Sequence, residues 1–555
     1  MLSAVAASPA RPGELGTSQP AGSLSAGPSP AGDRLQRLAP TLVAAILAAT
    51  YVVISPPSLD LAAHLFRAQL FREEGFGLWN NFWYSGHHIV GYSLLFPAVS
   101  AALSPQLAAG LAATGTAAVF AVLARRHFGR GAWLGAVLFG AATAIDLYTG
   151  RLAFAFGALP ALGAVLALDC GRPRLACLLA LLSPLCSPVA ALFAALAASG
   201  YALGALISQR RVRPALPAIA VGVSALAPAV LLAIMFPTGG SEPFGFLTLF
   251  PILVLAVVAL IMLPNDAITL RAGVAIYALA TIGVYLVSSP IGSNISRMGA
   301  LLAAPLAALV WWRRRTRLLL VAVLPLLCLG WSAPVRDLLS ISHSPSASTG
   351  YYRPLLNFLD RASLLPAPPF RIEIPFTRFH WEAYVVAARF PIARGWERQL
   401  DVKDNPIFYR GHLTAAAYAT WLQQNAIRFV AAPDAPLDYS ARQEMALIRH
   451  GLPYLHLVMH SAHWRVYAVA HATPIVTGVA TLRAIGGDWL QLDARTPGTA
   501  LVRVRFSPYW ALTQGSGCVA PHGQYTRLTL QRAGPVRLVT HFSLTRIGAT
   551  SPRCT

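Results

Sequence analysis

Residues 58–92 read SLDLAAHLFRAQLFREEGFGLWNNFWYSGHHIVGY and follow directly on the first apolar run of the chain. Sequence bordering a membrane is ordinarily poor in acids and histidines, because ionisable groups held near lipid are costly to desolvate. This stretch nevertheless carries Asp60, His64, Arg67, Glu73, Glu74, His87 and His88 among a set of aromatic side chains. The concentration marks a functional segment on one face of a membrane.

The surrounding sequence supplies the membrane. Hydrophobic residues make up 56% of the 555 residues and charged residues 12%, against about 25% charged in an ordinary soluble domain. Apolar runs at 38–54, 106–124, 132–149, 152–169, 175–187, 189–207, 215–236, 246–263, 268–287, 298–312 and 317–333 predict about eleven crossings. The fold class is therefore a polytopic α-helical membrane protein. Basic loops at 125–130, 172–174, 209–213 and 311–317 belong in the cytoplasm by the positive-inside rule. With the N-terminus inside and an odd number of spans, the C-terminal region falls outside. Two runs are short. The first, 175–187, is interrupted by SPLCSP, so 175–207 reads as a broken helix pair. The second, 89–104, reads as a segment that dips into the membrane or lies at its surface.

Composition divides the chain further. Residues 1–33 are Ala, Ser, Pro and Gly with few large apolar groups, a disordered tail rather than a signal peptide. Residues 34–333 form the membrane domain, with an external loop at 56–88. Residues 334–470 read as an external α/β region with strands in RIEIP, IRFVAA and WRVYAV. In residues 471–555, LVRVRF, TRLTLQ and VRLVTHF alternate apolar with polar side chains, the period of half-buried strands, and predict a β-sandwich. Cys518 and Cys554 lie in this region, where export would allow a disulfide. The other four cysteines sit in or beside apolar runs and read as packing residues.

The net charge is +22, almost all of it arginine; Lys403 is the only lysine. Base-composition bias and positive-inside topology account for such a charge, and so does an affinity for phosphate-bearing lipid. Nucleic acid is excluded as a partner, because the arginines scatter over loops instead of forming one stripe.

Within 58–75 the chemistry-bearing residues have helical spacing. Asp60, His64 and Arg67 at i, i+4, i+7 share a face, with Leu61, Leu65 and Ala68 beside them. The expectation is an amphipathic helix lying along the membrane surface. Asp60 reads either as a general base for a hydroxyl or as a helix N-terminal cap. Asp60 with His64, and with His87 and His88 near, also offers carboxylate and imidazole to a divalent metal, although the spacing is no zinc signature. Trp79, Trp83, Tyr84 and Tyr92 read equally as sugar-stacking rings or as anchors at the headgroup layer, and Asn80 lies among them. Two more external edges are polar, DLYTGR ending in Arg151 and SSPIGSNISR with Asn294 and Arg297. Arginines on the outer side oppose the usual charge rule. Each could grip a lipid-linked phosphate or snorkel to anionic headgroups.

One span, then a large external loop with an acid on a juxtamembrane helix, then LWNNFWYSGHHIVGYSLLFP entering a many-span bundle with an external C-terminal domain: over residues 38–333 this order resembles the GT-C glycosyltransferases, integral membrane enzymes that take sugars from polyprenyl-phosphate donors. The resemblance implies that Asp60 is the first-loop catalytic acid and Arg297 the late-loop residue on the donor phosphate. His64, Arg67, Trp79, Asn80, Trp83, His87, His88, Tyr92, Arg151 and Asn294 are the expected substrate contacts. Many family members carry paired acids in this loop, whereas Asp60 is followed by Leu61 and meets no further acid until Glu73. No cofactor or metal ligand set is fixed by these residues, and a divalent metal, Mg or Mn, stays open. The expected partners are a polyprenyl-phosphate sugar, a glycan or lipid acceptor of the cell envelope, and membrane lipid. The alternative is a catalytically inactive protein of this architecture that binds envelope polysaccharide or a protein partner. A transporter would show pseudo-symmetric halves, and none are visible.

Overall fold

The computed structural model of the chain describes residues 30–312, 315–341, 343–365 and 367–555. Most of the tail expected at 1–33 lies outside these residues. The apolar part consists of α1 (Pro30–Ile54), α2 (Leu61–Glu74), a two-residue hairpin pair β1 (Trp79–Asn80) and β2 (His87–His88), α3 (Phe96–Leu103), α4 (Pro105–Phe128), α5 (Trp133–Tyr148), α6 (Leu152–Asp169), α7 (Pro173–Cys186), α8 (Pro188–Gln209), α9 (Leu216–Met235), α10 (Phe246–Met262), α11 (Ile268–Leu286), α12 (Ser296–Trp311) and α13 (Thr316–Ile341). Among the described residues, eight helical stretches are long and apolar enough to span a membrane, one of them holding both α4 and α5, and α7 and α10 are shorter apolar helices. The protein is a polytopic helical membrane protein. Small residues let these helices close up, as they do where lipid supplies no hydrophobic drive. A Cβ on Gly140 of α5 would stand 2.3 Å from the Pro40 carbonyl oxygen of α1.

The two short runs behave as their sequences imply. Ser187 separates α7 from α8, with Pro184 and Pro188 on either side of the break, and α3 has eight residues, well below a crossing. The reading of α2 needs correction. It does not lie along a surface with a charged stripe toward water: Leu61, His64, Phe66, Arg67 and Leu70 are all buried. Helices α3, α4 and α6 pack on it from the membrane side and the extramembrane region covers it from above, so both faces of the helix are occupied.

Beyond α13, which continues through Pro334, helices α14 (Arg353–Ser363), α15 (Glu382–Val385), α16 (Arg398–Asp404), α17 (Ala415–Gln424) and α18 (Arg442–His450) surround a sheet of β3 (Arg371–Glu373), β4 (Ile427–Pro433), β5 (Leu455–His460) and β6 (Trp464–Val469). The strand order is β3-β4-β6-β5, with β3 parallel to β4 and the other pairs antiparallel. The last unit is a sandwich. One sheet has order β15-β12-β13-β10-β7 and the other β11-β14-β9-β8, formed by β7 (Val476–Gly478), β8 (Ala480–Ile485), β9 (Trp489–Ala494), β10 (Gly498–Arg505), β11 (Trp510–Gln514), β12 (Gly517–His522), β13 (Tyr525–Leu530), β14 (Gly534–Thr540) and β15 (Arg553–Cys554). Alternate residues Ala500, Val502 and Val504 of β10 fill its core, as the LVRVRF period requires. A Cys518–Cys554 disulfide joins β12 to β15.

The hairpin after α2 ties these units to the membrane helices. Trp79 is buried in the sandwich core, while Trp83 and Tyr84 are buried in the α/β core. The backbone follows: the amide of Asn81 donates to the carbonyl of Gly487, that of Ile392 to Phe82, and that of Arg505 to Ser85. Gly395 lies so close to Trp83 that a Cβ there would fall 2.3 Å from its ring. Gly395→Val should therefore push the α/β unit off the hairpin at a cost of about 1–3 kcal/mol. Thermal unfolding of the detergent-solubilised chain checks this as a lowered midpoint.

Candidate functional site

The start of α2 is the first of three chain segments that meet here. The turn from α5 to α6 presses on it through Gly150, which has φ +78. A Cβ there would stand 2.3 Å from Ser58 Oγ and 3.1 Å from the Leu61 amide nitrogen. Only a glycine gives the turn both that backbone and that approach. The turn brings in Asp146 and Arg151, whose carboxylate and guanidinium stand 3.8 Å apart. The third segment is the loop before α12. It is pinned by the Glu242 amide, which donates to the Ser289 carbonyl at 3.0 Å, and it delivers Arg297 at the head of the helix. Arg297 donates to Asn294 Oδ1, and its guanidinium lies 5.4 Å from the Phe154 ring centre. Its Nε is buried without a partner, which leaves an N–H free for an anion.

Asp60, at the N-cap of α2, makes no side-chain cap bond. Its Oδ1 accepts the indole N–H of Trp396 at 2.9 Å. Arg297 is within electrostatic reach of Asp60, Arg151, Asp146 and Tyr92. The structure thus gathers five of the residues singled out from the sequence, Asp60, Tyr92, Arg151, Asn294 and Arg297. It adds four that sequence reasoning missed. Glu242 senses Arg398, Asp60 and Arg297, and burial raises its carboxyl above the ordinary range. Asp337 of α13 lies within electrostatic range of Arg336 and Arg378 and, more weakly, of Arg151 and Asp60. Trp396 and Arg398 come from the extramembrane unit. Asp337 carried a signal, an acid inside an apolar helix; the other three are ordinary in sequence.

The remaining expected contacts are internal. Trp83 has no exposed surface; it stacks on Phe66 at 4.5 Å and on His87 at 5.8 Å and donates to the Ala383 carbonyl. Trp79 meets His88 and Trp510 edge-on. Asn80 accepts the Phe82 amide. Arg67 is paired with Glu397 and lies 4.0 Å over Tyr92. His64 is boxed by Tyr92 and Phe96. The sugar-stacking and substrate-contact expectations for Trp79, Asn80, Trp83, His64, Arg67, His87 and His88 give way to packing, because the extramembrane units close over them. The Asp60, His64, His87 and His88 set is not assembled either. His87 and His88 turn into the cores of two different units, and no three His, Cys, Asp or Glu side chains among the described residues gather as a metal would need.

Burial governs the three histidines. It lowers His64 and His87 to about 3, with the Arg67 charge as the next cause for each, and His88 to about 4. All three are neutral at physiological pH.

Below Arg297 the interior is hollow. A cavity of about 120 Å³ is lined by Phe154, Phe139, Ala194, Met298, Leu302 and Thr116, among other residues of α4, α5, α6, α8, α11 and α12. Phe154 is the ring under Arg297 and Met298 is its neighbour in sequence. The lining also includes Val165, about 16 Å further along α6 at 1.5 Å per residue.

No family model matches the chain, and no curated protein aligns with it. Among solved structures, it is similar to the apo oligosaccharyltransferase of Archaeoglobus fulgidus, at 12% identity and a TM-score of 0.41 over 72% of this chain and 70% of that one. The archaeal oligosaccharyltransferase AglB of Archaeoglobus fulgidus, in complex with an inhibitory peptide and a dolichol-phosphate, aligns at 10% identity and a TM-score of 0.40 over the same shares.

The neutral histidines make a pH prediction. An unfolded histidine titrates near 6.5, so below that pH the unfolded chain binds a proton that native His87 refuses until about 3. Stability from this group is present above about 6.5 and is lost as pH falls. His87→Phe should flatten the loss between pH 7.5 and 5 by about 2 kcal/mol, read from unfolding midpoints of both proteins at the two pH values. Buried carboxyls titrating in the opposite sense are common to both and cancel.

Proposed function

We propose that this protein is a membrane glycosyltransferase of the GT-C type that moves a sugar from a polyprenyl-phosphate donor to a glycan or lipid acceptor of the cell envelope, on the outer face. The observation that carries the reading is that one carboxylate, Asp60, lies within electrostatic reach of Arg297, whose Nε–H is unpaired, at the head of an apolar cavity. A polyprenyl-phosphate is a charged head on a long apolar chain. Arg297 and Arg151 supply charge-assisted donors for the head, and the cavity between α4, α6 and α12 suits the chain.

In the reaction, Asp60 takes the proton from the acceptor hydroxyl. That oxygen forms a bond to the anomeric carbon while the bond from this carbon to the phosphate oxygen breaks. The electron pair leaves with the polyprenyl phosphate, whose charge Arg297 and Arg151 stabilise. Asn294 orients Arg297 through their shared hydrogen bond. No step is routed through a metal. The outer-face placement has two supports: the basic loops that assign the opposite side to the cytoplasm and the disulfide of the extramembrane sandwich, a bond that persists in oxidising compartments.

Asp60→Asn should reduce transfer from a radiolabelled lipid-linked sugar in membranes by about 10²–10⁴-fold, the usual contribution of a general base; full retention removes Asp60 from that role. Ala194→Phe should fill the cavity and raise KM for a long-chain donor much more than for a short-chain analogue. Equal effects on both would place the chain elsewhere.

A further inference from the structure

A short acidic side chain at a helix N-cap ordinarily turns back onto the first amides of the helix. Asp60 does not. Among the side-chain hydrogen bonds of the described residues, the one that reaches its carboxylate comes from Trp396 Nε1 to Oδ1 at 2.9 Å. Trp396 lies 336 residues further along the chain, in the extramembrane α/β unit.

The indole is held rigidly. It stacks on His380, 3.6 Å between ring centres and 11° from parallel. The Arg398 guanidinium lies 4.9 Å from its centroid. His380 stands 3.7 Å from Asp438, and Asp438 accepts two hydrogen bonds from Arg398 at 2.9 and 2.7 Å, so the four side chains close a ring. The neighbours in sequence are fixed as well. Gly395 abuts Trp83, and Glu397 is held by Arg67 and by Tyr84. His380 itself sits at φ +54, a left-handed backbone rare outside glycine. Such conformations persist where the surroundings over-determine them, and they cluster at functional sites. Any aromatic ring would satisfy the stacking. Only a ring that carries a hydrogen-bond donor at this place satisfies the carboxylate as well.

We propose that Trp396 is a positioning residue for Asp60: the extramembrane domain fixes one carboxylate oxygen with the indole N–H and leaves the other to take the acceptor's proton. The assignment rests on the reading of Asp60 as the general base. It makes the reaction centre complete only when the α/β unit is docked on the membrane helices.

The test uses the full chain in lipid nanodiscs with ¹³C-carboxyl aspartate. The infrared carboxylate band that vanishes in Asp60→Asn belongs to Asp60. Trp396→Phe, which keeps a ring and loses the donor, should shift that band and lower kcat by about 10–100-fold, the worth of a hydrogen bond to a charged group, with KM for the lipid-linked sugar within twofold. Trp396→His, which restores a ring N–H, should recover part of both, and it carries the test if the Phe variant does not fold. An unmoved band, a moved band with unchanged kcat, or a loss confined to KM overturns the proposal. Full transfer by Asp60→Asn together with a moved band overturns the general-base reading instead, and leaves a hydrogen bond with no catalytic role.

Discussion

The arrangement at the mouth of the membrane domain depends on the burial of one short aromatic hairpin in two separate cores. Trp79 enters the sandwich and Trp83 the α/β unit. Each aromatic of this size buries some 150–250 Å², worth up to about 4–6 kcal/mol at 25 cal/mol per Å². The hairpin is covalently continuous with α2, so this burial also sets where α2 lies relative to the extramembrane region. Asp60 at one end of α2 and Trp396 on the facing turn meet because Gly395 lets that turn sit flat on Trp83.

Charge is handled differently on the two sides of that junction. In the packed layer, Arg67 and Glu397 neutralise each other, although Arg67 Nε and Nη1 are buried without hydrogen-bond partners, and the histidines shed their protons. An unpaired charge there would cost several kcal/mol. At the site, the groups are left only partly satisfied. Arg297 has one bond to Asn294 and a free Nε. Arg151 stands 3.8 Å from Asp146, further than a hydrogen bond reaches. Asp60 has one donor. Underused polar capacity at the head of an apolar cavity is expected where a charged, chain-bearing ligand completes the bonding.

The aromatic and the ionic residues therefore exchange the parts that their sequence context suggests. The dense aromatic run is mostly scaffold. The proposed chemistry concentrates on loop ends that carry a single notable residue each: the Gly150 turn, the loop before α12, and the turn around Trp396. This division is common in proteins whose sites are built at the ends of rigid elements, since loops can bring distant side chains together while the elements keep them in register.

Much of the architecture was legible in the sequence, because hydrophobicity acts locally. Apolar runs of crossing length, proline punctuation at 184 and 188, and the two-residue period of β10 each determine a segment without reference to any other. The same holds for the order of the parts, an apolar bundle with a juxtamembrane helix after its first span and a strand-rich region behind it. Asp60, Arg151 and Arg297 could be singled out because an ionisable group at a membrane edge is costly wherever it sits. Burial was not legible. Whether His87 faces water or a tryptophan, and whether α2 lies on a surface or inside a sandwich of domains, depends on what packs over it from more than 300 residues away. Trp396, Arg398 and Glu242 join the candidate site for the same reason: their sequence surroundings are ordinary, and only the docking of one folded unit on another gives them a carboxylate or an arginine to face.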